Sequence, residues 1–159
     1  MKVTIKKGRH SHSNFLFRML NTVSFGKSFA KKVTFGQECY YPYLNNDSKD
    51  FNKLLGVRYF DDHINGGYLV WRPDFERRDI IEVWAYGYEN QARYKHKIVN
   101  VRVGTEFFAS VTKQKDGYLF QVGREKYFYK HSNPQAWVTV HPFFGGNNKA
   151  PHDLHIEMK

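Results

Sequence analysis

The residues best suited to ligand chemistry lie in one alternating stretch, DIIEVWAYGY, which runs from Asp79 to Tyr88. Its period of two places small apolar side chains on one strand face and four larger ones on the other, namely Glu82, Trp84, Tyr86 and Tyr88. Aromatic rings can pack against sugar rings, and a carboxylate can accept hydrogen bonds from hydroxyl groups. The stretch therefore predicts a sugar-binding face. The open alternative is that these rings belong to the core, although an unpaired carboxylate beside them is costly to bury.

Candidate metal ligands occur in two places. His10 and His12 are two residues apart, which directs both imidazoles to one face of a strand, but no acidic residue follows before Glu38. The loop Asp61 to Asn65 offers the oxygen ligands that calcium prefers, without the spacing of an EF-hand. Solvent-facing histidines and an ordinary polar turn are the favoured interpretations, so the sequence predicts no metal ion and no cofactor. The single cysteine, Cys39, is predicted to be a buried structural thiol.

Positive charge is concentrated at the N-terminal end. The 159 residues carry a net charge of +10, and the first 37 contain eight Lys or Arg residues and no Asp or Glu. Such an arm suits an anionic partner: nucleic acid, a lipid surface or an acidic protein. The alternatives are a transit peptide, and a helix packed across one end of the fold with its lysines in solvent. The predicted partner-binding residues of the arm are Lys6, Lys7, Arg9, Arg18, Lys31 and Lys32.

The elements that must position these residues are mostly strands. Residues 2–7 alternate as a short strand, and residues 15, 16, 19, 20 and 23 place an apolar stripe on a short amphipathic helix that Gly26 ends. A strand is predicted over residues 32–41. The rest of the chain reads as short strands separated by turns, with strands predicted at residues 55–60, 68–71, 80–88, 93–103, 106–112, 118–122, 126–129, 137–144 and 154–158.

This pattern predicts an all-β antiparallel jelly-roll sandwich over residues 38–159, preceded by a basic extension over residues 1–37 that carries the short strand and the helix. No apolar run approaches the ~18 residues that a membrane span requires. No secretory signal is recognisable either, so we expect a cytoplasmic or virion-associated protein before a secreted one.

Two segments carry a family resemblance. The run Phe143-Phe144-Gly145-Gly146, followed by Ala150 to Asp153 and the last strand, resembles the closing segment of concanavalin A-like jelly rolls. Gly66 to Arg72 followed by Ile80 to Tyr88 is similar to paired strands of small members of that lectin and glucanase class. The resemblance covers residues 52–159, and it implies two curved sheets with a concave face that often meets carbohydrate.

The same resemblance supplies a catalytic motif for comparison. Retaining glucanases of this class carry Glu-x-Asp-x-x-Glu on a strand, and their two carboxylates lie roughly 5 Å apart. Asp79 and Glu82 match the second and third positions, but Arg77 stands in the place of the nucleophile. Arginine cannot form the glycosyl-enzyme intermediate, so the sequence predicts a protein that is not an enzyme.

The predicted function is therefore non-catalytic carbohydrate binding through Glu82, Trp84, Tyr86 and Tyr88, with Arg72 and His155 added on the same face. The alternative is a structural or assembly protein, such as a virion or surface component, whose basic arm contacts other subunits or nucleic acid. Under that alternative a homo-oligomer is expected.

Overall fold

The computed structural model describes residues 2–11, 27–43, 45–60 and 64–159, and these residues form an all-β sandwich of two antiparallel sheets. Sheet A has six strands in the order β1-β11-β2-β7-β8-β9. Their bounds are β1 Lys2–Ile5, β2 Ser28–Phe35, β7 Glu106–Gln114, β8 Gly117–Val122, β9 Glu125–Lys130 and β11 Leu154–Met158. Sheet B has five strands in the order β10-β3-β4-β5-β6. Their bounds are β3 Asn52–Arg58, β4 Asn65–Pro73, β5 Ile80–Glu89, β6 Ala92–Arg102 and β10 Val138–Val140. The sequence prediction of an antiparallel β-sandwich is confirmed.

The core lies between the two sheets and consists of the inward half of each alternating strand. In β5 the side chains of Ile81, Val83 and Ala85 are fully buried, as their period predicts. Across the core, Phe35 of sheet A packs against Trp71 of sheet B with ring centroids 5.1 Å apart. Burying this apolar area is the main driving force that holds one sheet against the other.

Aromatic stacking joins the sheets along one side, where the edge strands β6 and β9 approach each other. The rings of Tyr94 and Tyr129 are stacked at 3.6 Å between centroids, and those of His96 and Tyr127 at 4.0 Å. The inward position of Tyr94 depends on the absence of a side chain at Gly87, because a Cβ there would meet the Tyr94 hydroxyl at 2.3 Å and the Gly66 carbonyl at 2.1 Å.

The N-terminal residues are part of the sandwich. β1 pairs with β11, and β2 is inserted between β11 and β7 as the third strand of sheet A. A boundary at residue 37 therefore does not separate an extension from a domain, and that prediction is wrong for the described residues. The predicted helix over residues 14–25 lies outside the described residues.

Several predicted strands have different bounds. The strand predicted over residues 32–41 occupies Ser28–Phe35 and gives way to a 3-10 turn at Gln37–Cys39. A second 3-10 turn spans Asn46–Lys49. The strand predicted over residues 137–144 shortens to Val138–Val140, after which Phe143 makes isolated bridges to Lys53 and Ser11. Within the described residues, no helix has the length and apolarity needed to cross a membrane.

Candidate functional site

The predicted polar face of β5 lies on the outer surface of sheet B. Glu82, Trp84, Tyr86 and Tyr88 point away from the core and are partly exposed. β4 and β6 flank β5, and the register places Arg72 opposite Glu82, and Lys95 and Arg93 opposite Tyr86 and Tyr88. A β-bulge at Val83 and Trp84 shifts the pairing with β6 and brings Lys97 beside Trp84.

A groove runs over this surface in two adjoining parts. The larger part, which we call the basic cleft, has a volume of about 450 Å³. Its lining consists of Lys49, Asp50, Phe51, Lys53, Val70, Arg72, Tyr86, Tyr88, Arg93, Lys95, Phe143, Gly145 and Gly146. The smaller part, the recess, has a volume of about 370 Å³ and shares Lys49 and Arg72 with the basic cleft. The rest of its lining consists of Pro73, Asp74, Phe75, Glu76, Arg77, Glu82 and Lys97.

The basic cleft has a strong excess of positive charge. Among the described residues that line it, five are Lys or Arg and one, Asp50, is acidic. Low-dielectric walls around charges of one sign strengthen the field inside a cleft. The basic cleft is therefore built to attract anions.

Glu82 is fully engaged by its neighbours. Its carboxylate accepts hydrogen bonds from Arg72 Nε at 2.7 Å, Lys97 Nζ at 2.5 Å and Trp84 Nε1 at 3.2 Å. Burial raises the pKa of the Glu82 carboxyl, but the hydrogen bonds and charges of Lys97 and Arg72 outweigh burial, and the net shift is downward. Hydrogen bonding of Glu82 to sugar hydroxyls stays a prediction, and in this structure the carboxylate already accepts from three protein donors.

Arg72 is held in place by rings as well as by Glu82. Its guanidinium carbon lies 4.9 Å from the centre of the Phe51 ring and 5.2 Å from that of Trp84. Its Nη1 donates to the carbonyl oxygen of Lys49 at 3.2 Å. The Trp84 ring therefore supports a cation, which leaves less of its face open to a sugar.

Tyr86 and Tyr88 form a pair under Arg93. Their hydroxyl oxygens are 3.1 Å apart, and the Arg93 guanidinium lies 5.8 Å and 6.0 Å from the two ring centres. Burial, together with the neighbouring Tyr88 hydroxyl, raises the pKa of Tyr86, so Tyr86 keeps its proton at neutral pH. The rings of the predicted aromatic platform are thus in contact with cations: Trp84 with Arg72, and Tyr86 and Tyr88 with Arg93.

His155 does not belong to this face. It lies on β11 in sheet A, and its Nδ1 pairs with the carboxylate of Glu38. The nearby His152 donates from Nε2 to the carbonyl oxygen of Glu38 at 2.6 Å. The prediction that His155 shares a face with Trp84 is wrong, because strand pairing places β11 and β5 in different sheets.

Sequence reasoning missed the contribution of β6. Arg93, Lys95 and Lys97 alternate within the ARYKHKI run, and that period of two places all three on the outer face. The signal was present in the sequence, but only the pairing of β6 with β5 reveals that these cations meet the tyrosines.

The predicted arm residues are dispersed over sheet A and its edge. Lys6 pairs with Asp153 at 2.6 Å, Lys32 with Glu106 at 3.6 Å, and Lys31 lies 5.9 Å from the Phe29 ring centre. Lys7 donates its backbone N–H to Asp153, and Arg9 is exposed. Arg18 lies outside the described residues, and binding of an anionic partner by this arm stays a prediction.

The candidate metal ligands have other partners or cannot be described. His10 donates from Nδ1 to the carbonyl oxygen of Phe144 at 2.9 Å and stacks on Phe143. Asn65 is buried and donates to the carbonyl oxygen of Asn133. His12 and residues 61–63 lie outside the described residues.

The glucanase-like match does not form a pair of facing carboxylates. Asp79 precedes β5 in a left-handed turn with a φ of 61°. Arg77 at the nucleophile position is bound to Asp74 at 2.6 Å. The double-displacement geometry of retaining glucanases is therefore not assembled by these residues.

Comparisons with known proteins give a structural match. No protein-family model matches the chain. No curated protein matches it in sequence. A solved structure of the alginate lyase AlyC3 is similar to this chain with a TM-score of 0.64 at 9% sequence identity. The match covers 99% of this chain and 72% of that one.

At this identity the similarity shows only the fold, which is a β-sandwich in both proteins. The similar protein is an alginate lyase. The prediction that this chain is not an enzyme is contradicted, because the similar structure, matched over nearly the whole chain, is that of a lyase.

Proposed function

We propose that this protein binds an acidic polysaccharide in the groove on the outer face of sheet B. The observation that supports the proposal is the positive charge of the basic cleft. Among the described residues that line it, Asp50 is the one acidic residue, and the cationic residues are Lys49, Lys53, Arg72, Arg93 and Lys95. Carboxylate groups of the polysaccharide would form charge-assisted hydrogen bonds with these cations. A groove of two adjoining parts suits a linear chain.

The arrangement of the rings favours a polysaccharide over single-stranded nucleic acid. Proteins that bind single strands stack bases on open aromatic faces. Here Arg72 lies against Trp84, and Arg93 lies over Tyr86 and Tyr88, so these faces are already shared with cations. The protein of similar structure is an alginate lyase, and alginate is a polymer of uronic acids. The resemblance of residues 143–158 to the closing segment of concanavalin A-like jelly rolls also supports a carbohydrate ligand.

A second candidate function is eliminative cleavage of the same polymer. In this reaction a base removes the proton next to the carboxylate and the glycosidic C–O bond breaks. A carbon–carbon double bond forms, and the leaving oxygen gains a proton. Cations that neutralise the carboxylate make that proton easier to remove. The observation that favours this chemistry is the hydroxyl pair of Tyr86 and Tyr88 beside Arg93. Tyr88, after losing its own hydroxyl proton to solvent, would accept the proton from carbon, and Tyr86 would donate its hydroxyl proton to the leaving oxygen.

Binding can be tested with a pair of matched variants. Arg93→Gln/Lys95→Gln removes two exposed cations of the basic cleft, and Lys126→Gln/Lys130→Gln removes two exposed lysines of β9 in sheet A. In calorimetric titrations with a uronate oligosaccharide, the first variant should bind at least about tenfold more weakly, equivalent to about 1.4 kcal/mol. The second should match the unaltered protein, and a neutral oligosaccharide should not bind. Equal losses in both variants would show non-specific charge attraction and contradict the proposal.

Cleavage can be tested by ultraviolet absorbance, since the new double bond is conjugated with the carboxylate. The unaltered protein should produce the absorbing product from a uronate polymer, and Tyr88→Phe should abolish it while binding persists. Product formation at an unchanged rate in Tyr88→Phe would exclude the assigned role of Tyr88.

A further inference from the structure

Charge is unevenly distributed along the groove. Leaving aside the shared Lys49 and Arg72, the described lining of the basic cleft contributes Lys53, Arg93 and Lys95 against Asp50. The corresponding lining of the recess contributes Arg77 and Lys97 against Asp74, Glu76 and Glu82. With the shared Lys49 and Arg72 counted in both parts, the described lining of the basic cleft has five cations against one carboxylate and that of the recess has four against three, so the groove changes from strongly positive to nearly neutral.

The cations of the recess are also neutralised by close partners. Arg77 forms an ion pair with Asp74 at 2.6 Å. The Glu82 carboxylate forms ion pairs with Lys97 at 2.5 Å and with Arg72 at 2.7 Å. The side chain of Glu82 is only 12% exposed, so the pairs lie partly out of water, where charges interact more strongly. Glu76 is exposed at the same place and adds a negative charge.

The cations of the basic cleft are in a different situation. Arg93 and Lys95 are exposed, and Arg93 lies over the rings of Tyr86 and Tyr88. A ring attracts a cation without cancelling its charge, so the guanidinium can still bind an anion. An acidic sugar unit is thus favoured in the basic cleft over the recess, where the cations are paired with carboxylates.

We propose that the groove selects a polysaccharide in which acidic and uncharged units alternate, and that Glu82 determines this preference. The acidic unit occupies the basic cleft against Arg93 and Lys95, and the uncharged neighbour occupies the recess between Glu76 and Lys97. Arg72 lies on the boundary, because it lines both parts. This inference rests on the proposed binding of an acidic polysaccharide and specifies its substrate class.

The test compares three hexasaccharides by calorimetric titration: alternating glucuronate and N-acetylglucosamine, uniform uronate, and uniform neutral glucose. The unaltered protein should bind the alternating hexamer most tightly. Glu82→Gln keeps the shape of the side chain, frees the charges of Arg72 and Lys97, and should improve the affinity for uniform uronate relative to the alternating hexamer by about threefold to tenfold. Glu125→Gln, on exposed β9, makes the same charge change away from the groove and should leave the ratio unchanged.

Glu76→Gln provides a second variant in case Glu82→Gln does not fold, because Glu76 is exposed. It should shift the ratio in the same direction. A preference of the unaltered protein for uniform uronate, or an unchanged ratio in both groove variants, would overturn the inference and leave the proposed function standing. Failure of both acidic hexamers to bind would refute the proposed function, and the inference would fail with it.

Discussion

At the scale of single residues, the Glu82 carboxylate joins three neighbouring strands on the outer face of sheet B. The alternation of β5 places this carboxylate on the outer face, as the structure also does. Its role depends on Arg72 in β4 and Lys97 in β6, which are 10 and 15 positions away in the chain. No spacing rule links such positions, because the pairing of strands decides which side chains meet.

Trp84 is expected to act through Arg72. Replacing Trp84 with Ala removes the ring whose centre lies 5.2 Å from the Arg72 guanidinium, and it removes the hydrogen bond from Trp84 Nε1 to Glu82. Arg72 should therefore lose its fixed position. We expect affinity for an acidic oligosaccharide to fall by about tenfold, equivalent to about 1.4 kcal/mol. Trp84→Phe keeps a ring and should lose far less. Thermal unfolding should show both variants folded, and equal affinities in the two would contradict this role.

Glu89 should make stability depend on acid pH. Hydrogen bonds from Ser132, with a further one from Tyr129, lower the pKa of Glu89 from 4.5 to about 2. A lowered folded-state pKa contributes stability that is complete above the unfolded-state pKa and is lost as the pH falls towards 2. Glu89→Gln should therefore be less stable than the unaltered protein at pH 7, by a margin that shrinks between pH 4.5 and 2. Denaturant unfolding at several pH values measures this, and a margin that does not change with pH would contradict it.

At the scale of elements, the strands that alternate cleanly were the ones the sequence could predict. β5 and β11 have small or aliphatic residues at every second position, so their inner faces were evident. The charge pattern assigns β2 to the basic extension, because the first 37 residues contain no Asp or Glu. Its membership of sheet A follows from long-range pairing with β7, which local patterns do not encode.

Deleting residues 1–31 should destroy the fold. The deletion removes β1 and half of β2, the strand that connects β11 to β7. β11 then loses its pairing with β1, residues 109–112 of β7 lose their partners in β2, and the core loses the buried side chains of Val3 and Ile5. We expect loss of the cooperative thermal transition by circular dichroism. A folded product with intact glycan binding would show that residues 1–31 are a separable extension after all.

Gly87 should tolerate no side chain. An added Cβ would lie 2.1 Å from the backbone oxygen of Gly66 and 2.3 Å from the Tyr94 hydroxyl, so either the strand or the ring must move. Gly87→Ala should lower the free energy of unfolding by about 1 to 3 kcal/mol, as overpacking of a core does. Chemical denaturation measures the loss. Gly87→Ala combined with Tyr94→Phe should recover part of it if the Tyr94 hydroxyl is the obstacle, and none if the ring carbon or the backbone is.

At the scale of the whole molecule, the net charge of +10 should govern the rate of binding. Exposed charges steer an oppositely charged ligand over long distances and are screened by salt. Stopped-flow measurements should show the association rate of an acidic oligosaccharide falling as ionic strength rises, with a smaller change in its dissociation rate. The reverse pattern would mean that buried pairs, such as Glu82 with Lys97, control binding.

The basic row on β6 has a second consequence, which concerns self-association. Among the described strands β6 is an edge of sheet B, and its backbone groups could pair with a strand of another molecule. Charged side chains along an edge, lysine above all, oppose such pairing. The exposed Arg93 and Lys95 would therefore keep molecules apart in solution while they attract a polyanion. A variant neutralised at these positions should become prone to aggregation, and a polyanion that covers them would remove the same protection.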